Sequence, residues 1–228
     1  MENNLYQGIK LAKNDLNILL DLERILDTPI PVTDKFEWNT FGFAVKNERV
    51  VGLGLSMKIL QEFPERIWKL AQLESLILVG NGLGKLPDNF SHLKNLKKLW
   101  LNVNGLDSLP NSICDLENLE AFCIYQNNIK ELPEKFGNLK NLTDIHIANN
   151  PIKSLPKNFE YLTKLQTLDI CGTKIDELPK MFDKCEQLKL IALPKRLLTQ
   201  LPDSIKKKKS IKIITMDEEN KRKEEKFD

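Results

Sequence analysis

From Phe63 to Met216, apolar residues return to the same places every 23 residues. In segments beginning at 63, 86, 109, 132, 155, 178 and 201, a Leu-Pro pair (Phe-Pro in the first) precedes the apolar column Ile67, Phe90, Ile113, Phe136, Phe159, Phe182 and Ile205. Three more columns follow. They are Leu73, Leu96, Leu119, Leu142, Leu165, Leu188 and Ile211; then Leu76, Leu99, Phe122, Ile145, Leu168, Ile191 and Ile214; then Leu78, Leu101, Ile124, Ile147, Ile170, Leu193 and Met216. An unslipping period of this length marks a repeat array. The last two columns alternate with variable residues, which predicts one half-buried strand per unit. Proline, with no N–H and a fixed φ, then ends each extended run and starts a return path.

Three residues past each strand stands Asn81, Asn104, Asn127 or Asn150. An amide side chain offers both donor and acceptor, so a stack of them can satisfy turn groups that would otherwise be buried and unpaired. Lys58 precedes this column, and Thr173, Arg196 and Glu219 replace the Asn at its far end. The pattern Leu-Pro-x-x-Phe/Ile-x-x-Leu-x-x-Leu-x-x-Leu-x-Leu-x-x-Asn-x-Leu resembles the 23-residue class of leucine-rich repeats, over about three-quarters of the chain. That resemblance implies an α/β solenoid with a parallel sheet on its concave face. One unit buries about six Leu-class side chains at roughly 1.5 to 3 kcal/mol each. Ordering its backbone costs about 1 to 2 kcal/mol per residue. A lone unit loses, so the units must stack.

A solenoid exposes its core at both ends and needs caps. Ile9, Ala12, Leu16, Leu19, Leu20 and Ile25 recur at near-helical spacing, which predicts an amphipathic helix over 8–27. Phe41 to Val45 and Val50 to Leu55 read as a hairpin that covers the first strand's open edge. Residues 1–49 are thus expected to form an N-terminal cap, 50–216 the solenoid, and 217–228 a charged tail that is a frayed helix or disordered.

Composition narrows the function classes. The chain has 228 residues, 41% of them hydrophobic, with a net charge of only +2. That balance gives no argument for nucleic acid. No apolar run reaches the length of a membrane span. Met1-Glu2-Asn3-Asn4 lacks the features of a signal peptide. Cys114, Cys123, Cys171 and Cys185 cluster at neither end, which favours a reducing, cytoplasmic setting. His92 and His146 lie far apart, and no phosphate loop, His-Glu-x-x-His or Cys-x-x-Cys occurs. The expectation is therefore a non-enzyme without cofactor or metal.

The columns also point to the side chains that the core does not require. Strand residues alternate faces, so Ile77, Trp100, Cys123, His146 and Asp169 are expected to project from the concave face. Beside them stand Val79, Asn102 and Tyr125, with Lys98 and Asp144 as charged flanks. Tryptophan and tyrosine are common interface anchors, and an exposed apolar patch on a strand face marks a binding site. These ten residues are the candidate surface for a protein partner on a monomeric interaction scaffold. The family resemblance adds small GTPases or signalling enzymes as partner classes. Two alternatives are a recognition arm of an effector such as a ubiquitin ligase, and anionic-surface binding through Lys206 to Lys209.

Overall fold

The computed structural model describes residues 4–217 and 221–225. Its centre is a ten-stranded sheet in which strands consecutive in sequence lie side by side. Each repeat contributes one short strand: β5 (Ser75–Ile77), β6 (Lys98–Trp100), β7 (Ala121–Cys123), β8 (Asp144–His146) and β9 (Thr167–Asp169). These pair in parallel, and the parallel run continues into β10 (Leu190–Pro194) and β11 (Lys212–Met216). On the opposite side, short 3-10 turns follow the Leu-Pro pairs, as at Asn111–Asp115 after Pro110 and Lys157–Tyr161 after Pro156. The apolar columns fill the space between strands and turns as one continuous core. Phe90, Phe136 and Phe159 are fully buried there, and the rings of Phe136 and Phe159 stack at 6.0 Å.

The Asn column carries the predicted ladder. Asn104 donates through Nδ2 to the carbonyls of Leu78 (2.8 Å) and Leu101 (2.9 Å), and its Oδ1 accepts from the N–H of Asn81 (2.9 Å). Asn127 repeats the arrangement one unit later, accepting from the N–H groups of Asn104 and Leu106 at 3.0 Å each. Where the column changes residue, other groups take over. The Arg196 guanidinium donates to the carbonyls of Thr173 (2.9 Å) and Ile175 (2.8 Å), while the Lys58 ammonium leaves the turn and sits 3.4 Å above the Phe41 ring. Glu219 lies outside the described residues.

The N-terminal cap departs from the predicted helix over 8–27. Residues 5–10 form a small hairpin, β1 (Leu5–Tyr6) with β2 (Ile9–Lys10), because Gln7 and Gly8 both adopt positive φ and turn the chain. The helix α1 spans Lys13–Leu26 and buries Ile18, Leu19 and Leu22, whereas Leu20 and Ile25 are exposed. Asp15, fully buried on its inner face, accepts from Arg49 and from the Val50 N–H at 2.8 Å, which fastens helix to sheet. The predicted capping hairpin is present as β3 (Phe41–Lys46) antiparallel to β4 (Arg49–Leu55).

Two features of the C-terminal end differ from expectation. First, the last unit is one residue short between core positions: Leu188 is followed by Ile191, but Ile211 by Ile213. Ile213 therefore pairs with Ile191, and Thr215 with Leu193. Because the strand period is two, a one-residue shift turns neighbours to the other face. Ile214 and Met216 thus leave the core columns and join Ala148, Cys171 and Ala192 in a separate apolar cluster on the concave face. Second, the charged tail is neither helix nor coil at 222–225. It forms β12 (Arg222–Glu225), antiparallel to β11 and held by Thr215 donating to Glu225 (2.7 Å) and by a Lys212–Glu224 ion pair at 3.0 Å. The main sheet is therefore closed at both edges by an antiparallel strand, the arrangement that blunts open edges.

Candidate concave binding site

Register places the concave residues in rows. One row runs Gly54, Ile77, Trp100, Cys123, His146, Asp169, Ala192 and Ile214 across eight neighbouring strands. Its N-terminal end is occupied. The segment between α1 and β3 folds over the concave side of β4, so that a Cβ on Gly52 would collide with the Phe36 ring, and one on Gly54 would lie 2.8 Å from the Thr40 carbonyl. Glycine in a strand marks such close approaches. Ile77, next in the row, is fully buried, and Val79 is buried as well. Both were expected to project freely and do not.

Beyond this cover lies a groove of about 790 Å3. Trp100, Asn102, Cys123, Tyr125, His146 and Asp169 line it, six of the ten residues expected from the sequence. Lys98 and Asp144 stand outside the lining; Asp144 accepts a hydrogen bond from Thr143 at 2.6 Å. Trp38, Asn149, Met216 and Arg222 complete the walls. Trp38 comes from the segment that covers Gly54 and is 56% exposed. The signal for it was present in Gly52 and Gly54, whose missing side chains leave room for a covering segment. Met216 reaches the groove through the one-residue shift, and Arg222 comes from β12.

The groove is apolar in the middle and charged at one end. The Asn102 side chain is held by accepting the Tyr125 N–H at 2.8 Å. Trp100 presents an indole N–H that is buried and has no partner among the described residues. A buried donor without an acceptor costs about 1 to 3 kcal/mol. At the far end Asp169 is locked: one oxygen accepts from the Cys171 N–H at 3.1 Å, the other from Arg222 at 2.9 Å. Burial, with Asp144 and Asp169 nearby, pushes the Cys123 thiol up to about 12. Burial and Asp169 hold Cys171 at about 12 too. A thiol nucleophile needs the opposite shift, so neither cysteine is set up for covalent chemistry. Among the described residues no group of His, Cys, Asp and Glu is arranged to hold a metal, and no helix is long and apolar enough to cross a membrane.

A family model described as Leucine Rich Repeat matches residues 72–93. The solved structures agree over much more of the chain. A leucine-rich repeat protein of Leptospira interrogans superposes with a TM-score of 0.60 at 25% identity, over 78% of this chain. The chain has a leucine-rich repeat fold. Two further repeat structures share the fold. The plant peptide hormone receptor RGFR1, solved in complex with RGF2, aligns over 68% of this chain at 24% identity and TM-score 0.56. The functional domain of InlJ from Listeria monocytogenes aligns over 63% at 23% and TM-score 0.55. The chain spans 47%, 26% and 30% of these three structures, respectively. No curated protein sequence matches it. A leucine-rich repeat fold of this kind points to a protein-interaction module.

Proposed function

We propose that this leucine-rich repeat protein is a non-catalytic scaffold that holds a segment of a partner protein in the concave groove, with Trp100 and Tyr125 as the anchors. The single observation that carries the reading is the concave groove of about 790 Å3 walled by Trp38, Trp100 and Tyr125. A partner segment laid over the strands packs against the rings of Trp38, Trp100 and Tyr125 that wall this groove. The raised thiols support a non-enzymatic role. Free, buried cysteines fit a reducing, cytoplasmic compartment, and strands closing both edges of the main sheet fit a monomer.

Partner capture by the intact chain tests this. Trp100→Ala with Tyr125→Ala should weaken capture by about 2 kcal/mol or more, as truncated interface anchors do. The thermal melt reports whether the variant remains folded. Undiminished capture by a variant with an unchanged melt removes the groove as the binding site.

The Lys206 to Lys209 run supports an anionic-surface role less well. Lys206 and Lys208 donate to the carbonyls of Thr199 (3.2 Å) and Glu186 (3.1 Å), which ties half the run to the neighbouring backbone.

A further inference from the structure

We infer that the far end of the groove is a seat for a cationic side chain of the partner, and that Arg222 occupies it as an internal stand-in until the partner arrives. The inference rests on the groove reading and adds the chemistry of one contact and its regulation. Its basis is an asymmetry in the Asp169–Arg222 pair. The Asp169 side chain is 11% exposed and pinned by the Cys171 N–H, whereas the Arg222 side chain is 45% exposed. The anion is a fixed part of the wall. The cation is the exchangeable member.

The origin of Arg222 points the same way. The strands that position the groove floor are stacked repeat units, but Arg222 lies 53 residues from Asp169 on β12, a four-residue edge strand. Along that strand, Arg222, Lys223 and Glu224 are all exposed. Elements with few buried contacts open at low free-energy cost. The guanidinium can swing into solvent while Glu224 and Glu225 keep the strand paired through Lys212 and Thr215.

Once it leaves, Asp169 is a nearly buried carboxylate with one oxygen unpartnered, a state that strongly favours capture of another cation. The surroundings suit that replacement. His146 and Asp169 are register neighbours, and Trp38, Trp100 and Tyr125 offer ring faces in the same groove, along which an arginine or lysine stem can lie. The occupant is therefore an extended peptide segment bearing Arg or Lys. An acidic segment, attracted instead to the half-exposed Arg222, is the opposing outcome.

The test titrates the full chain with the peptide acetyl-Leu-Arg-Leu-amide and with its citrulline and glutamate counterparts, read by tryptophan fluorescence and calorimetry. Arg222→Ala should raise affinity for the arginine peptide about tenfold, because a stand-in that occupies the site nine-tenths of the time lowers apparent affinity by that factor. The citrulline peptide should not share the gain, and Asp169→Asn in the Arg222→Ala background should cancel it. Equal or weaker binding of the arginine peptide by Arg222→Ala overturns the inference. So does a glutamate peptide that binds the natural protein and is lost in Arg222→Ala. The two readings fail separately. Capture that depends on Trp100, with no arginine preference, leaves the groove and removes the seat; an arginine preference with capture indifferent to Trp100 does the reverse.

Discussion

Asn127 shows how much one side chain does in a stacked fold. It accepts from two N–H groups of the preceding unit and donates to the carbonyls of Leu101 (3.0 Å) and Ile124 (2.8 Å), so a single amide satisfies four backbone groups. Asn127→Ala strands these in a water-poor interior and should lower stability by about 1 to 3 kcal/mol in a urea melt. A second prediction concerns the thiols. All four cysteines titrate above the ordinary value, Cys114 and Cys185 at about 11 and Cys123 and Cys171 at about 12, with burial the leading cause. Below pH 9 both folded and unfolded chains keep these protons. Above it the unfolded chain releases them first, so stability falls as pH rises. Between pH 8 and pH 10, Cys171→Ala should lose about 1 kcal/mol less than the natural protein. Parallel denaturant curves at the two pH values measure the difference.

Strands and turns were legible because their periodicity is a direct print of packing. A column that must face the core is apolar in every unit, so Leu99 and its equivalents locate each strand without any knowledge of the neighbours. The segment over β4 left no such print. Residues 33–40 have no period, and their placement is written in the residues beneath them, Gly52 and Gly54. Gly54→Val should push this segment off the sheet, since the added carbons meet the Thr40 backbone carbonyl as well as its β-branched side chain. Faster hydrogen exchange at residues 36–40, with the exchange of β6 to β9 unchanged, is the expected result. Uniformly faster exchange across the sheet would mean that the segment is an integral part of the first repeat instead. Arg222 could not be read at all, because its strand exists through pairing with β11 and not through any pattern of its own.

Over the whole molecule, the caps do more than end the array. The N-terminal cap contributes Trp38 to one side of the groove and the C-terminal strand contributes Arg222 to the other, while the repeats supply the floor. The candidate site is thus assembled from parts far apart in sequence, and a solenoid trimmed to its regular units would lack both walls. The missing residue in the last unit has a consequence of a different kind. A one-residue change of register inside a regular array changes which side chains line a face without changing any side chain, because pairing Ile213 rather than Ile214 with Ile191 puts Ile214 and Met216 on the concave side. Removing Lys212 should reverse this: it places Ile214 two residues after Ile211, where Ile213 now pairs with Ile191, turns Ile214 and Met216 to the interior and strips the groove's far end of its apolar lining. Protection of Met216 from peroxide, weaker in the natural protein than in the variant lacking Lys212, reports the reversal. In an array of this construction, chain length is itself a means of editing a binding surface.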